Sequence, residues 1–182
     1  KVTLLLDAQD RVRQARLHIV EFRGFEKFVQ GRPYWEVPVM VQRLCGICPV
    51  SHQLAAAKAF DAVVGAHTLT PTAEKIRRLM HYGQILQSHA LHFFHLASPD
   101  LLFGFDAEVP RRNIAGLAVE HPEIARQGVL LRRYGQEVIH ATAGRRIHGT
   151  GAIPGGVNKS LSVAERAALL EPIYRIIGWS LD

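Results

Sequence analysis

Four helix-opening signals partition most of this sequence and leave little of it for a sheet. Pro49 stands where an alanine-rich apolar segment begins, and a first-turn proline loses nothing by lacking an N–H. Leu54, Ala57 and Asp61 share one side of that segment. Thr70-Pro71 pairs a cap with the same kind of proline, and Ile76, Leu79, Met80, Leu86 and Phe94 then recur at helical spacing up to a stop at Ser98-Pro99. Pro122 opens a third segment, striped by Ile124, Leu131, Tyr134 and Val138, with Gly144 as its stop. Ser162 and Glu165 form a capping-box pair ahead of an Ala/Leu run that Pro172 kinks or ends.

The N-terminus reads differently. Lys1 to Leu6 and Val12 to Val20 have strand composition around the turn chemistry of Asp7 to Asp10. Leu17 and Ile19 alternate with Arg16 and His18, the period of a strand with one buried face. A two-stranded hairpin is marginal alone, so this one is expected to pack on something later in the chain. The fold class is therefore mainly α with a small N-terminal β-hairpin (α+β). One domain is expected over residues 1–182, made of a hairpin (1–20), a loop region (21–52) and a helical part (53–182). Gly149 to Gly156 reads as a Gly/Pro loop. The chain opens in strand composition without an initiator methionine, which leads to the expectation that it is a piece of a longer subunit.

Charge and composition narrow the function classes. A hydrophobic share of 48% with a net charge of +6 excludes intrinsic disorder. The arginines come in isolated pairs beside apolar residues, without a basic arm or an aromatic platform, so nucleic acid is not an expected partner. The longest apolar run, Leu54 to Ala66, is cut by Lys58 and Asp61 and falls short of the ~20 residues of a membrane span. Two cysteines make no disulfide framework and no signal peptide is visible, so a soluble cytoplasmic chain is expected.

Those two cysteines carry the chemistry. Cys45 and Cys48 form a Cys-x-x-Cys pair with His52 four residues on. Two intervening residues let both sulfurs approach one metal or each other. With a helix starting at Pro49, Cys48 sits at its N-terminal end, where free N–H groups and the helix dipole favour thiolate. His52 lies one turn further on, within reach of that sulfur, and Gly46 permits close backbone packing beside the first thiol. The spacing leaves three readings open: a disulfide-exchange pair, part of a zinc site, or half of a four-thiolate site completed elsewhere.

Arg43-Leu-Cys-Gly-Ile-Cys-Pro-Val-Ser-His52 resembles the first metal-binding motif of the large subunit of [NiFe] hydrogenases, Arg-x-Cys-Gly-x-Cys-x-x-x-His. Phe22-Arg-Gly-Phe-Glu-Lys27 with Gly31-Arg32, Gln87 to Leu96 with Ser98-Pro-Asp100, and Arg146 to Val157 resemble further segments of that family in the same order. The flavour of the motifs is similar to the cytoplasmic, NAD-reducing class. The resemblance implies the helical-bundle core of that family. It also implies that Cys45 is a terminal ligand of nickel and that Cys48 bridges nickel to an iron carrying CO and cyanide. His52 would orient the bridging sulfur, and Glu26 would hold Mg2+. The implied reaction is heterolytic cleavage or formation of H2. Electrons would pass through iron–sulfur clusters of a small subunit to diaphorase subunits holding FMN and NAD.

The family's second Cys pair and its Arg-Ile-Glu-Gly-His segment, whose glutamate relays protons, do not occur in these 182 residues, so the chain alone is expected to be inactive. Ser88 stands where many periplasmic relatives carry an Asp. His89, His92 and His95 recur every three residues, with the outer two about 120° apart around the helix, which disfavours a three-histidine site. Local hydrogen bonding is their simplest role, and His89 is the one the resemblance brings near the metals. Arg43 reads as a salt-bridge residue holding the Cys loop. Two other identities stay in view: a non-catalytic homologue of the complex I quinone-site subunit, and a small zinc or thiol-redox protein.

Overall fold

A computed structural model describes residues 1–18 and 24–181, which form two compact units, Lys1–Arg32 and Pro33–Asp182. In the first, strands β1 (Val2–Leu6) and β2 (Val12–Leu17) pair antiparallel from Val2↔Leu17 to Leu6↔Val12. Asp7 closes the turn by accepting the Gln9 and Arg11 amides at 2.9 and 3.0 Å, which leaves Asp10 in the left-handed region at φ 57°. The expected buried face is absent among the described residues. Val2, Leu4, Leu6, Val12 and Leu17 are all exposed, because a two-stranded ribbon has two open faces and too little chain in its own unit to bury either. Ile19 and Val20 lie outside the described residues. A single turn, α1 (Phe25–Phe28), follows Gly24, which adopts φ 109°.

The second unit is helical. Helix α2 (Val37–Val41) and a 3-10 turn (Gln42–Leu44) lead through the Cys loop into α3 (Pro49–Val63), whose first-turn proline sits where the sequence puts it. Thr70 caps α4 (Pro71–Leu91) by accepting the Ala73 amide at 3.2 Å. The single helix expected to run to Ser98-Pro99 is instead three pieces. After α4 comes a π-helical turn (His92–Ala97), and α5 (Ser98–Phe103) then runs on to Gly104. In the wide turn the Phe93 carbonyl accepts both the Ser98 amide and the Ser98 hydroxyl, the latter at 2.6 Å, and Pro99 becomes a first-turn residue instead of a stop.

Helix α6 (Ile114–Glu120), capped by Asn113, had no stripe to announce it, since only Leu117 is buried. Helix α7 (Pro122–Ala143) ends as expected at Gly144, left-handed at φ 79°. The Gly149–Gly156 stretch, read as loop, contains most of a minimal hairpin, β3 (Ala152–Ile153) with β4 (Gly156–Val157). Both halves of the Ser162–Glu165 capping box form ahead of α8 (Val163–Leu170), and α9 (Ile173–Leu181) follows the Pro172 break.

The α4–α7 pair is the spine. Gly83 and Gly135 let the two backbones touch: a Cβ on Gly135 would stand 2.7 Å from the Gly83 carbonyl oxygen. On one side of the crossing Met80 and Ile139 join Val50, Ala57, Ala143 and Ala152, with Leu54 packed against them. Ala90, Leu131 and Ile176 form a second cluster with Leu86, Phe94, Tyr134 and Trp179. Arg77 on α4 clasps Asp61 on α3 through two hydrogen bonds of 2.6 and 3.0 Å, and both are buried. Among the described residues no helix is long and apolar enough to cross a membrane.

Candidate metal centre

The Cys loop is a short span between two helical ends. Cys45 leaves the 3-10 turn in extended conformation, and Cys48 is the N-cap of α3. Both cysteines are free and half-buried. Their sulfurs and a ring nitrogen of His52 all lie within 4.8 Å of one another, so the structure brings together the three residues singled out by spacing. No hydrogen bond joins the imidazole to either sulfur; His52 stands beside them, half-buried, in the first turn of α3.

The electrostatics invert one expectation. The free loop amides serve Cys45 instead of the N-cap cysteine: Cys48 N–H donates to Cys45 Sγ at 3.2 Å and Ile47 N–H at 3.4 Å. A hydrogen bond from the Cys48 thiol, reinforced by those two amides, holds Cys45 below the ordinary thiol value despite partial burial. Burial pushes Cys48 up to about 11, helped by the hydrogen bond to Cys45 and the charge there. The loop thus favours thiolate at Cys45 and the protonated thiol at Cys48. Soft metals bind thiolates, so occupation of the pair by a metal releases the Cys48 proton.

The loop is fastened from outside by residues that spacing rules cannot find. Gln84 and Gln87, on one face of α4, each donate a side-chain amide to the Ile47 carbonyl at 2.8 Å. Both are buried, at 2% and 5% exposure. A ring nitrogen of His148, itself left-handed at φ 53°, lies 3.3 Å from the Cys45 carbonyl. Arg43, Arg145, His148 and Thr150 line a cleft of about 250 Å³ beside the loop. A larger cleft, about 860 Å³ along α3 and α4, includes neither cysteine.

Other sequence-based expectations end differently. Arg43 is exposed and makes no ion pair among the described residues, so it does not tether the loop. Nothing lies within 4 Å of a Cβ built on Gly46, so no close packing demands glycine there. His89 is exposed with Nδ1 2.9 Å from the Ile85 carbonyl of its own helix, and it is not part of the cluster. The face of α4 turned to the loop is that of Gln84 and Gln87, and His89 lies away from it. His92 is exposed, and His95 Nδ1 is buried without a partner. Glu26 is an exposed residue of α1 in the Lys1–Arg32 unit; Phe22 and Arg23 of its motif lie outside the described residues. Ser88 is half-buried on α4.

Comparison with known proteins agrees with the loop's chemistry. A family model described as nickel-dependent hydrogenase matches residues 23–106, and one described as HoxL-like matches residues 1–22. The NAD-reducing hydrogenase HoxS subunit beta of Cupriavidus necator is 53% identical over 175 residues, covering 93% of this chain and 36% of that one. A chain of the F420-non-reducing vhu hydrogenase of Methanococcus voltae is 47% identical over 182 residues, 100% of this chain and 43% of its own length. Among solved structures, an NAD+-reducing [NiFe]-hydrogenase in the H2-reduced state superposes with a TM-score of 0.85 at 66% identity, over 98% of this chain and 40% of that one. A [NiFeSe]-hydrogenase of Dm. baculatum gives 0.73 at 26%, over 94% and 38%. The chain thus spans less than half the length of each of these relatives.

Proposed function

The chain belongs to the nickel-dependent hydrogenase family, and from that premise we propose that it is the first thiolate-bearing part of a large subunit working in an NAD-linked hydrogenase. One observation carries the reading: two unoxidised cysteines and His52 converge within 4.8 Å at the start of a helix. The donor set suits the group, because thiolates are soft ligands for nickel and low-spin iron. Cys45 would hold nickel terminally and Cys48 would bridge nickel and an iron carrying CO and cyanide, with the second thiolate pair contributed by protein outside these 182 residues. When bound, the Ni–Fe group supplies heterolytic cleavage or formation of H2.

The chain's own residues prepare the socket. The Ile47 and Cys48 amides favour the anionic form of Cys45, Cys48 yields its proton on binding, and His52 limits how the bridging sulfur turns. Glu26 would hold Mg2+ with oxygen ligands from elsewhere in the subunit. In the same reading residues 1–182 are part of one domain. The assembly is cytoplasmic, and electrons pass through iron–sulfur clusters of a small subunit to diaphorase subunits with FMN and NAD. The zinc-protein and quinone-site alternatives have no specific observation in their favour.

The test uses the full-length subunit, matured anaerobically in its complex. Nickel and iron should be present with the infrared bands of CO and cyanide, and Cys48→Ser should abolish hydrogen-dependent NAD+ reduction. Full activity in the Cys48→Ser complex would remove Cys48 as a ligand, and metal-free, band-free preparations would remove the hydrogenase reading.

A further inference from the structure

The two glutamine amides that meet at Ile47 act on more than loop position. A trans peptide unit points its carbonyl and its N–H in opposite directions. The unit whose oxygen accepts Gln84 and Gln87 is the same unit whose N–H, on Cys48, donates to Cys45 Sγ at 3.2 Å. The contacts form one chain, from two buried side-chain amides through a single peptide group to a sulfur. Donors drawing on a carbonyl oxygen polarise its peptide and strengthen the donor at the far end, and the effect is largest where water is excluded. Gln84 and Gln87 are 2% and 5% exposed, so the donor side chains are held out of water.

The two glutamines are also redundant as fasteners. A carbonyl oxygen has two lone pairs and here glutamine amides take both, while the Gln84 Oε1 atom stays buried without a partner. A buried, unpartnered amide oxygen is costly. A purely structural tether would not need that arrangement. The arrangement makes sense if the electron density of the Ile47–Cys48 peptide, and through it that of the Cys45 sulfur, is what is being set. Hydrogen bonds to ligating sulfurs are an established way for proteins to tune metal centres in general.

We propose that Gln84 and Gln87 are positioning residues of the Ni–Fe centre, which act through the Ile47–Cys48 peptide to withdraw electron density from the Cys45 sulfur. The proposal rests on Cys45 and Cys48 being metal ligands. Methionine matches glutamine in length and lack of branching but has no donor, so the variants are Gln84→Met, Gln87→Met and the pair, in the full-length subunit of the assembled complex. The readouts are the CO and cyanide stretching frequencies, nickel and iron per complex, and melting temperature.

Removing either donor leaves Cys45 a stronger donor to nickel, so the CO band should move to lower frequency in each single variant and further in the double one. The parent's metal content should be kept. If the double variant does not mature, the single variants decide. A single variant that keeps the parent's melting temperature yet holds no nickel counts against the proposal, because a stronger sulfur donor should keep the metal. Bands that do not move in folded, metal-loaded single variants overturn it, as does loss of nickel together with melting temperature, which packing alone explains. Failure of the ligand reading looks different: Cys48→Ser would then retain its metals and activity, whatever the glutamine variants do.

Discussion

Asp61 and Arg77 together gather three parts of the second unit. Asp61 takes two hydrogen bonds from Arg77 and one from the Gly155 amide at 2.7 Å, while Arg77 also donates to the Ile153 and Gly156 carbonyls. One ion pair therefore ties α3, α4 and the β3–β4 hairpin. Burial pushes the Asp61 carboxyl up, but the Arg77 bonds, the Gly155 amide and the charges of Arg77 and Lys58 together hold it below the usual carboxylate value. The sign follows: its contribution is complete above the ordinary carboxylate range and fades as pH falls below that range. Asp61→Asn should cost about 3 kcal/mol in urea unfolding at neutral pH, because Arg77 is left without a counter-charge. The gap between parent and variant should narrow in acid.

At this same scale the sequence is legible where chemistry is local. Cys45, Cys48 and His52 fall within eight consecutive residues, so spacing alone can bring them together. Gln84, Gln87 and His148 meet the loop across 37, 40 and 103 residues of chain, and a glutamine on a helix carries no mark of what it bonds. Dipole arguments favour thiolate at Cys48 whereas the loop amides favour it at Cys45, because such arguments fix where amides are in surplus, not which sulfur those amides point at.

Among the elements, the crossing of α4 and α7 sets the tolerances. A methyl on Gly135 would sit 2.7 Å from Gln87 Cβ, the Gln87 amide nitrogen and the Gly83 carbonyl oxygen, two of which are backbone and cannot swing aside. Gly135→Ala should destabilise the protein by about 1–3 kcal/mol in chemical denaturation, the usual range for overpacking. It should also shift Gln87 relative to the Ile47 carbonyl. Helix beginnings are readable at this scale, since Pro49, Thr70, Pro122 and Ser162 carry their own signals. Endings inside a continuous helical stretch are not. The π-helical turn at His92–Ala97 keeps helical spacing nearly intact, and α6 is too short and exposed to imprint a period.

At the scale of the whole molecule, apolar surface is left open. Leu17, Phe105, Val109, Val119 and Tyr174 are each more than 70% exposed, and the β1–β2 hairpin presents its leucines and valines to solvent. Monomeric proteins rarely leave so much apolar surface uncovered, and these relatives are more than twice the chain's length. The isolated 182-residue chain should bind the dye ANS strongly, and the full-length subunit in its complex should bind far less; equal fluorescence per mole would show that these side chains stay open in the assembly. Alternation misleads at the hairpin because it reports which residues could share a face, not whether anything lies against it.

The fastening of the Cys loop by α4 and by the segment after α7 also has a meaning in time. Contacts this distant in sequence close only when α4 and the segment after α7 have come together with the loop. A nascent chain would therefore display Cys45 and Cys48 as an ordinary pliable pair, open to any passing ion or oxidant. Only once α4 and that segment are seated is the loop held from outside, so the bearing of the two sulfurs depends on the packing of residues far from them in the chain.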